Sequence, residues 1–547
     1  MAKSNGQLDL PKEIPVLVVG ASMIGLASAM FLAWHGIRVI SIERHRGTAI
    51  HPRAGFFQLR TLELLRIVGI DGEATAASHA LYDPDGALNA VETLVGREIA
   101  RYIPNINEGV EDLSPVRRLF MPQQVLEPIL YKRAQELGAE FRFASEVVAL
   151  DQDADGVTAT VRDLDSGSEA KVRAKYVIAC DGNRSPVRER LGIRMRGHGQ
   201  LAHSITIYFR ADCSKALANR NLGVIYVTNE DLRGFFRLEK TGLGGFLVVF
   251  TVGDIKLPGA RNVADIIDEA LAVKFVRQAV GDPSLEVNVL DIAKWRAVAD
   301  CAERFQEGRI LLAGDAAHTM PPTGGYGGNT GMQDAQNIGW KLAYVLQGLA
   351  GEKLIDTYNA ERWPVGRMIV EQAYNRYVTR SDPDLGMEGV EPAIPDLHIE
   401  LGNRYRSPAV LPDDPEDDGL PHIDPRAAKG RPGTRALHIE LEREGKPFSS
   451  IDLYGRRFVL LAGPEGEAWV KAAKAAAQSA KVPLDAHVLK RAGTLADPAG
   501  QFAEAYGVTS AGASLMRPDG YIAWRARDAA GAKSAALEAV FNRVLCR

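Results

Sequence analysis

Two rhythms of apolar and polar positions run along this chain, and each predicts an element where it holds. Ile14 to Val19 is an unbroken β-branched apolar run, the pattern of a parallel strand buried on both faces. Met23 to Trp34 is apolar and alanine-rich and predicts a helix. A second apolar strand follows from Arg38 to Ile42, then a helix from Arg60 to Val68. From 71 to 115 neither rhythm persists, and no element is assigned. Gln124 to Leu137 predicts a helix, and alternation returns at Glu140–Ala149, Val157–Leu164 and Ala170–Ala179. Alternating segments at Ser204–Ala211, Gly223–Thr228 and Gly245–Val252 predict a mostly antiparallel sheet. Arg309–Ala313 is again a buried strand, before long helices at Met332–Gln347 and Leu354–Thr379. Pro408 to Pro425 is rich in Pro and Asp and reads as part of a linker. The expected organisation is one discontinuous unit (1–70, 116–190, 301–380), a second (71–115, 191–300), a linker over 381–425 and an α/β module over 426–547.

A chain of 547 residues with 46% hydrophobic content can hold two or three domains with sizeable cores. The net charge of −4 argues against a nucleic-acid surface. Cys180, Cys213, Cys301 and Cys546 are too few and too scattered for a disulfide framework or a zinc site, so no metal is expected. The polar first fifteen residues carry no signal-peptide core, and no apolar run is long enough to span a bilayer. A reduced, cytoplasmic protein without a membrane partner is expected.

Three short segments carry the candidate chemistry. Val18-Val19-Gly20-Ala21-Ser22-Met23-Ile24-Gly25 joins the first strand to the first helix. Gly20 makes the turn, Gly25 lets the helix pack on the strand, and the free helix amides suit a pyrophosphate. Glu43 lies eighteen residues beyond Gly25, where a dinucleotide fold places an acid on a ribose hydroxyl. Ser22 departs from that motif, since it stands where the middle glycine normally sits.

The second segment, Cys180-Asp181-Gly182-Asn183-Arg184-Ser185, puts a carboxylate at a strand end, suited to a cofactor's phosphate and ribityl region. In the third, Gly314-Asp315-Ala316-Ala317-His318, Asp315 suits ribityl hydroxyls. Pro321-Pro322 and the glycine-rich stretch 323–331 follow, expected as a loop opening a helix at Met332. A helix start carries roughly half a positive charge, which would stabilise a reduced, anionic flavin ring. Singly, each segment has a plain reading: a strand-turn-helix, an Asp-Gly turn, a glycine hinge. In this order and spacing they specify a flavin dinucleotide.

With Glu43-Arg44, Pro52-Arg53-Ala54-Gly55, Arg60-Thr61-Leu62-Glu63-Leu64-Leu65 and Gln123 before Leu126-Glu127, these segments resemble the class A FAD-dependent aromatic hydroxylases with the para-hydroxybenzoate hydroxylase fold. The resemblance is strongest to aromatic-polyketide hydroxylases of the tetracenomycin and anthracycline types. It implies an α/β fold: a Rossmann-like FAD-binding domain, an antiparallel-sheet substrate domain and a C-terminal thioredoxin-like domain. The last lacks Cys-x-x-Cys, which excludes thiol redox work. Within it, Arg517-Pro518-Asp519-Gly520 also reads simply as a turn between two strands.

The resemblance also implies roles. Gly20, Ser22 and Gly25 form the dinucleotide turn, and Glu43 and Arg44 hold the ribose and diphosphate side. Arg53 lies on an FAD-contacting loop, and Gln123 and Asp315 bind the ribityl chain. Asp181 belongs to the same cofactor region, Pro321 and Pro322 border the oxygen pocket, and Gly327, Gly328 and Asn329 face the flavin pyrimidine. His318 is read as a structural hydrogen-bonding residue and Trp295 as packing within the substrate domain or lining its pocket.

The implied activity is hydroxylation of a phenolic, polycyclic polyketide substrate. NADPH or NADH reduces FAD transiently, and O2 then forms a C4a-hydroperoxyflavin. A phenol has a pKa of about 10, so an activating group is needed, and no acid or base is assigned to it. A Baeyer–Villiger oxygenase, an epoxidase and a flavin redox sensor remain alternatives, and homo-oligomerisation stays open.

Overall fold

The structure is a computed structural model that describes residues 9–50, 55–254, 256–257, 259–413 and 417–547. Arg53, with Pro52 and Ala54, lies outside the described residues.

The first sheet is built around five parallel strands that run side by side: Ile310–Leu312, Glu169–Ala179, Glu13–Val19, Val39–Ile42 and Glu140–Arg142. Val18 pairs with Ile178 on one side and Ser41 on the other. Val16–Val19, Val39–Ile42 and Ile310–Leu312 are buried at every position, which is why their sequence is apolar, whereas Glu169–Ala179 alternates before its buried end Tyr176–Ala179. Helix Met23–Trp34 packs against helix Gln123–Glu136 on its flank and against helix Tyr326–Leu346. The close approach requires glycine: a Cβ on Gly25 would run into the Gly20 carbonyl, and one on Gly20, at φ 100°, into that of Cys180.

The second sheet has eight strands. Its order is His318–Thr319, Asn288–Ala302, Met195–Arg210, Gly244–Val252, Leu232–Leu238, Leu222–Thr228, Ala87–Val91 and Glu98–Ile103. All neighbours are antiparallel except Leu222–Thr228 with Ala87–Val91. The last two strands, with helix Asp71–Leu81, occupy the stretch where no element was expected. Ala87–Val91 is buried at every position, so it shows no alternation. Elsewhere alternation sorts the residues cleanly. Ile205, Ile207, Ile225, Phe236, Leu247 and Val249 pack on one face with helix Glu269–Val280. Tyr226, Phe235, Arg237, Phe246, Val248 and Phe250 take the other.

A four-stranded sheet, ordered Leu484–Val488, Phe458–Ala462, Ala513–Met516 and Ile522–Ala526, ends the chain. Its first pair is parallel and the other two are antiparallel, with helices Glu467–Ser479 and Ser534–Val544 packed together, a thioredoxin-like arrangement. The segment before it is docked rather than extended: Ala409 and Val410 are buried, and the Leu411 amide donates to the Ala523 carbonyl at 2.8 Å.

One local expectation is corrected. The glycine-rich stretch is not a loop up to Met332, because the helix begins at Tyr326 behind Gly325, a left-handed cap at φ 67°. Gly327, Gly328 and Asn329 therefore lie in its first turn. Gly331 lies one residue further into the helix, and a Cβ there would collide with Ile24 of the Met23 helix.

Candidate active site

The three sequence segments converge at the carboxyl ends of adjacent parallel strands, where open α/β sheets bind ligands. The Gly20 amide donates to the Ile42 carbonyl (2.8 Å), Cys180 to Val19 (2.8 Å) and Ala313 to Ala179 (3.0 Å). Arg188, buried, donates to the carbonyls of both Asn183 and Ala316 (3.2 Å each), tying the second segment to the third.

Glu43, buried at the end of its strand, accepts from the Ala21 amide at 2.6 Å and from His45. Arg44 stands exposed beside it. Ser22 Oγ donates to Glu127 Oε1 (2.8 Å), which also takes the Met23 amide (2.7 Å) and Gln123 Nε2 (2.6 Å). Gln123 Nε2 donates to Ser22 Oγ as well. Glu127 is thus the anion at the start of the Met23 helix, a role its position in the sequence does not disclose. Asp181 accepts from Ser185 Oγ (2.5 Å) and the Val187 amide (3.0 Å), and burial raises its pKa. Asp315 is exposed on the turn Gly314–Ala316, and Pro322 is exposed next to buried Pro321.

The start of the Tyr326 helix is held by Asn329. Its Oδ1 accepts from the Gln58 amide (3.0 Å) and Thr61 Oγ1 (2.7 Å), and its Nδ2 donates to the carbonyls of Phe56 (2.9 Å) and Gly325 (2.7 Å). The amides of Tyr326, Gly327 and Gly328, the first three of the helix, have no partner within it. At Gly327 an added Cβ would meet only Met320 Cγ, at 3.7 Å, so the approach is open. Open space, glycine and unpaired amides at a positive helix end fit the edge of a flavin ring.

Facing this turn is the aromatic side of the eight-stranded sheet. Phe56 lies tilted against Phe120 (5.4 Å), and Arg237 lies over Phe120 (4.6 Å). Arg237 donates to the carbonyls of Gly223 (2.9 Å) and Gly55, and burial pushes it down to about 10. Phe235 links Tyr226 (5.8 Å) to Phe250 (5.9 Å), which meets Trp295 and Tyr377 edge-on. Trp295 Nε1 donates to Thr206 Oγ1 (3.0 Å) on the adjacent strand, and its ring lies against the same aromatic face.

The third wall is the C-terminal end of helix Asp356–Arg380. Arg376 lies over the Tyr326 ring (5.3 Å), and Asp396 accepts from both Tyr326 Oη (2.5 Å) and Arg376 Nη2 (2.8 Å). One turn on, Arg380 lies over Tyr102 (5.1 Å), whose ring meets that of Tyr226 edge-on at 5.7 Å. Burial alone would lower its pKa, but Tyr226 and Asp396 hold it up. Sequence patterning could not pair Arg380 with Tyr226, because they lie on different elements far apart in the chain. His318 is fully buried, with Nε2 at 2.7 Å from Asp334, and serves the packing of the helices.

Residues 13–373 match the FAD binding domain family, and residues 429–547 match the family described as aromatic-ring hydroxylase, C-terminal. The chain belongs to the FAD-dependent aromatic-ring hydroxylases. This hydroxylase is 52% identical to a 4-methyl-5-nitrocatechol 5-monooxygenase from a Burkholderia species over 98% of each chain. It is 38% identical to tetracenomycin A2 monooxygenase-dioxygenase from Streptomyces glaucescens over 97% of each. Among solved structures, aklavinone-11 hydroxylase in complex with FAD and aklavinone superposes with a TM-score of 0.91 at 37% identity, covering 98% of this chain and 100% of that one. The hydroxylase is a flavin-dependent aromatic monooxygenase. Among its described residues no helix is long and apolar enough to cross a membrane.

Proposed function

We propose that this hydroxylase adds one hydroxyl group to a phenolic ring, consuming O2 and a nicotinamide dinucleotide. The observation that carries the reading is Arg380, a cation over the Tyr102 ring, which meets Tyr226 on the aromatic wall, one turn from Arg376 over the Tyr326 ring. A cation within reach lowers a phenol's pKa by about 1–3 units. Arg380 therefore holds the ring as its electron-rich phenolate, and Tyr226 orients the oxygen. The aromatic wall excludes water around it.

We place the diphosphate against the first turn of the Met23 helix, with Ser22 and Gly25 admitting it and Glu43 and Arg44 on the ribose side. Gln123 and Asp315 take the ribityl chain, Asp181 lines the same region, and Pro322 borders the ring. The amides of Gly327, Gly328 and Asn329 meet the flavin pyrimidine. Bound FAD would carry two electrons from the nicotinamide dinucleotide to O2, one atom of which enters the ring while the other leaves as water.

For the substrate, the 52% relative favours a single ring carrying an electron-withdrawing group, as in 4-methyl-5-nitrocatechol. A polycyclic ring is supported by the 38% relative and the aklavinone complex. Turnover with labelled O2, NADPH or NADH, and both classes of phenol decides between them. One labelled oxygen in a ring hydroxyl, with substrate-stimulated oxidation of the dinucleotide, is expected. A ring-expanded lactone, an epoxide or no incorporation would overturn hydroxylation.

A further inference from the structure

The turn Arg517-Pro518-Asp519-Gly520 reads in sequence as a link between two strands of the C-terminal sheet. In the structure it is buried among three helices of the flavin-binding region. Arg517 donates to both oxygens of Glu361 (2.6 and 2.9 Å) on the Asp356 helix. Glu361 also takes Lys341 Nζ (2.7 Å) and Asn337 Nδ2 (2.9 Å) from the Tyr326 helix. Asp519 accepts from Trp340 Nε1 (3.1 Å) with its carboxylate and from Arg60 Nη2 (2.6 Å) with its carbonyl.

Arg60 belongs to the third of these helices, Leu59–Ile67, where it pairs with Glu63 at 2.9 Å. A second C-terminal cation, Arg435, grips the same carboxylate, and Ser114 Oγ completes its shell at 2.6 Å. The neighbour of Arg60 is Thr61, the hydroxyl donor to Asn329 Oδ1. Buried polar contacts thus run from the C-terminal module to Arg60 and Glu63, and from Thr61 on the same helix to the first turn of the Tyr326 helix, with the helix backbone joining the two sets.

Buried ion pairs add little net stability over apolar packing of the same volume; their attested use is to fix one geometry. Apolar adhesion is already supplied at this junction by Trp340, Tyr344, Phe458 and Phe541. We propose that Arg435 and the Arg517–Gly520 turn are positioning elements of the flavin site, setting through Thr61 where the amides of Gly327, Gly328 and Asn329 lie. The inference rests on the reading of that turn as the flavin-facing edge.

The test compares the holoenzyme with Thr61→Val, Arg435→Met and Asn329→Ala, reading FAD dissociation by fluorescence, the flavin absorption spectrum and the two-electron midpoint potential. Thr61→Val keeps the volume and deletes only the last link, so it answers even if Arg435→Met folds poorly. All three variants are expected to lower the midpoint potential and alter the spectrum, and to weaken FAD by about tenfold, the worth of one buried hydrogen bond. Unchanged flavin properties in Thr61→Val and Arg435→Met, beside altered ones in Asn329→Ala, would overturn the positioning role and leave the site reading standing. If Asn329→Ala is also silent, the site reading fails and the inference with it. Lower thermal stability of Arg435→Met with an unmoved potential likewise counts against positioning.

Discussion

Ser22 Oγ donates to Glu127 Oε1 at 2.8 Å, so the residue that replaces the glycine of the dinucleotide motif turns its hydroxyl away from the strand ends and onto a helix. Glu127 is buried and gathers the Met23 and Ala49 amides as well, the latter at 2.5 Å. Ser22→Gly is therefore expected to keep FAD affinity within about threefold, because the Ser22 hydroxyl is already engaged by Glu127 and Gln123. Glu127→Leu leaves buried donors unpaired and should cost about 2–4 kcal/mol of stability, read from urea unfolding. A fully stable Glu127→Leu protein would refute the capping role.

Gly327 tests the flavin face without disturbing the fold. Its Cβ position is open, and helices favour leucine over glycine by close to 1 kcal/mol. Gly327→Leu should leave the apoprotein at least as stable as the parent. It should weaken FAD by an order of magnitude or more, since the side chain enters the space reserved for the ring. Equal FAD affinity in a titration would move the ring elsewhere.

Arg380→Met and Tyr226→Phe separate activation of the ring from its binding. Removing the cation should raise the pKa of the bound phenol by roughly 1–3 units. In Arg380→Met, kcat should fall on the order of a hundredfold at neutral pH and recover as pH rises. Tyr226→Phe should show a milder loss. A pH–rate profile identical to that of the parent enzyme would remove Arg380 from the mechanism.

Acid should loosen the C-terminal junction. Burial alone would raise Glu63 and Glu361, but Arg435 and Arg60 hold the first below its ordinary value of 4.5, and Arg517 and Lys341 hold the second. The unfolded chain therefore binds the extra protons in acid. The stability these pairs carry is fully present above the ordinary value and drains away as pH falls through the folded ones. Urea midpoints should be level from about pH 7 to pH 5 and decline below, with a shallower acid slope in Glu63→Gln. An identical slope in that variant would show that Glu63 does not contribute.

The first strand-turn-helix, the second strand and the glycines at 20 and 25 were legible in the sequence. Their signals are local: an apolar run, a turn that needs positive φ, and an acid at a fixed distance along the chain. The aromatic face of the second sheet was partly legible too, because alternation sorts Phe246, Val248 and Phe250 from Leu247 and Val249. Ala87–Val91 was not, since burial on both faces erases alternation. Nor was the start of the Tyr326 helix, because three glycines in six residues read as a loop. Asn329, held by Gln58 and Thr61, and the fit of Gly331 against Ile24 are consistent with helix winding through them.

By itself the sequence determined the cofactor class and the elements that carry a local signal. The tertiary structure alone decided which polar groups meet: Ser22 with Glu127, Tyr226 with Arg380, Glu63 with Arg435, Glu361 with Arg517. Hydrophobic periodicity reports burial one element at a time. A buried charge, by contrast, is tolerable only once the fold has brought its counter-charge within hydrogen-bonding distance.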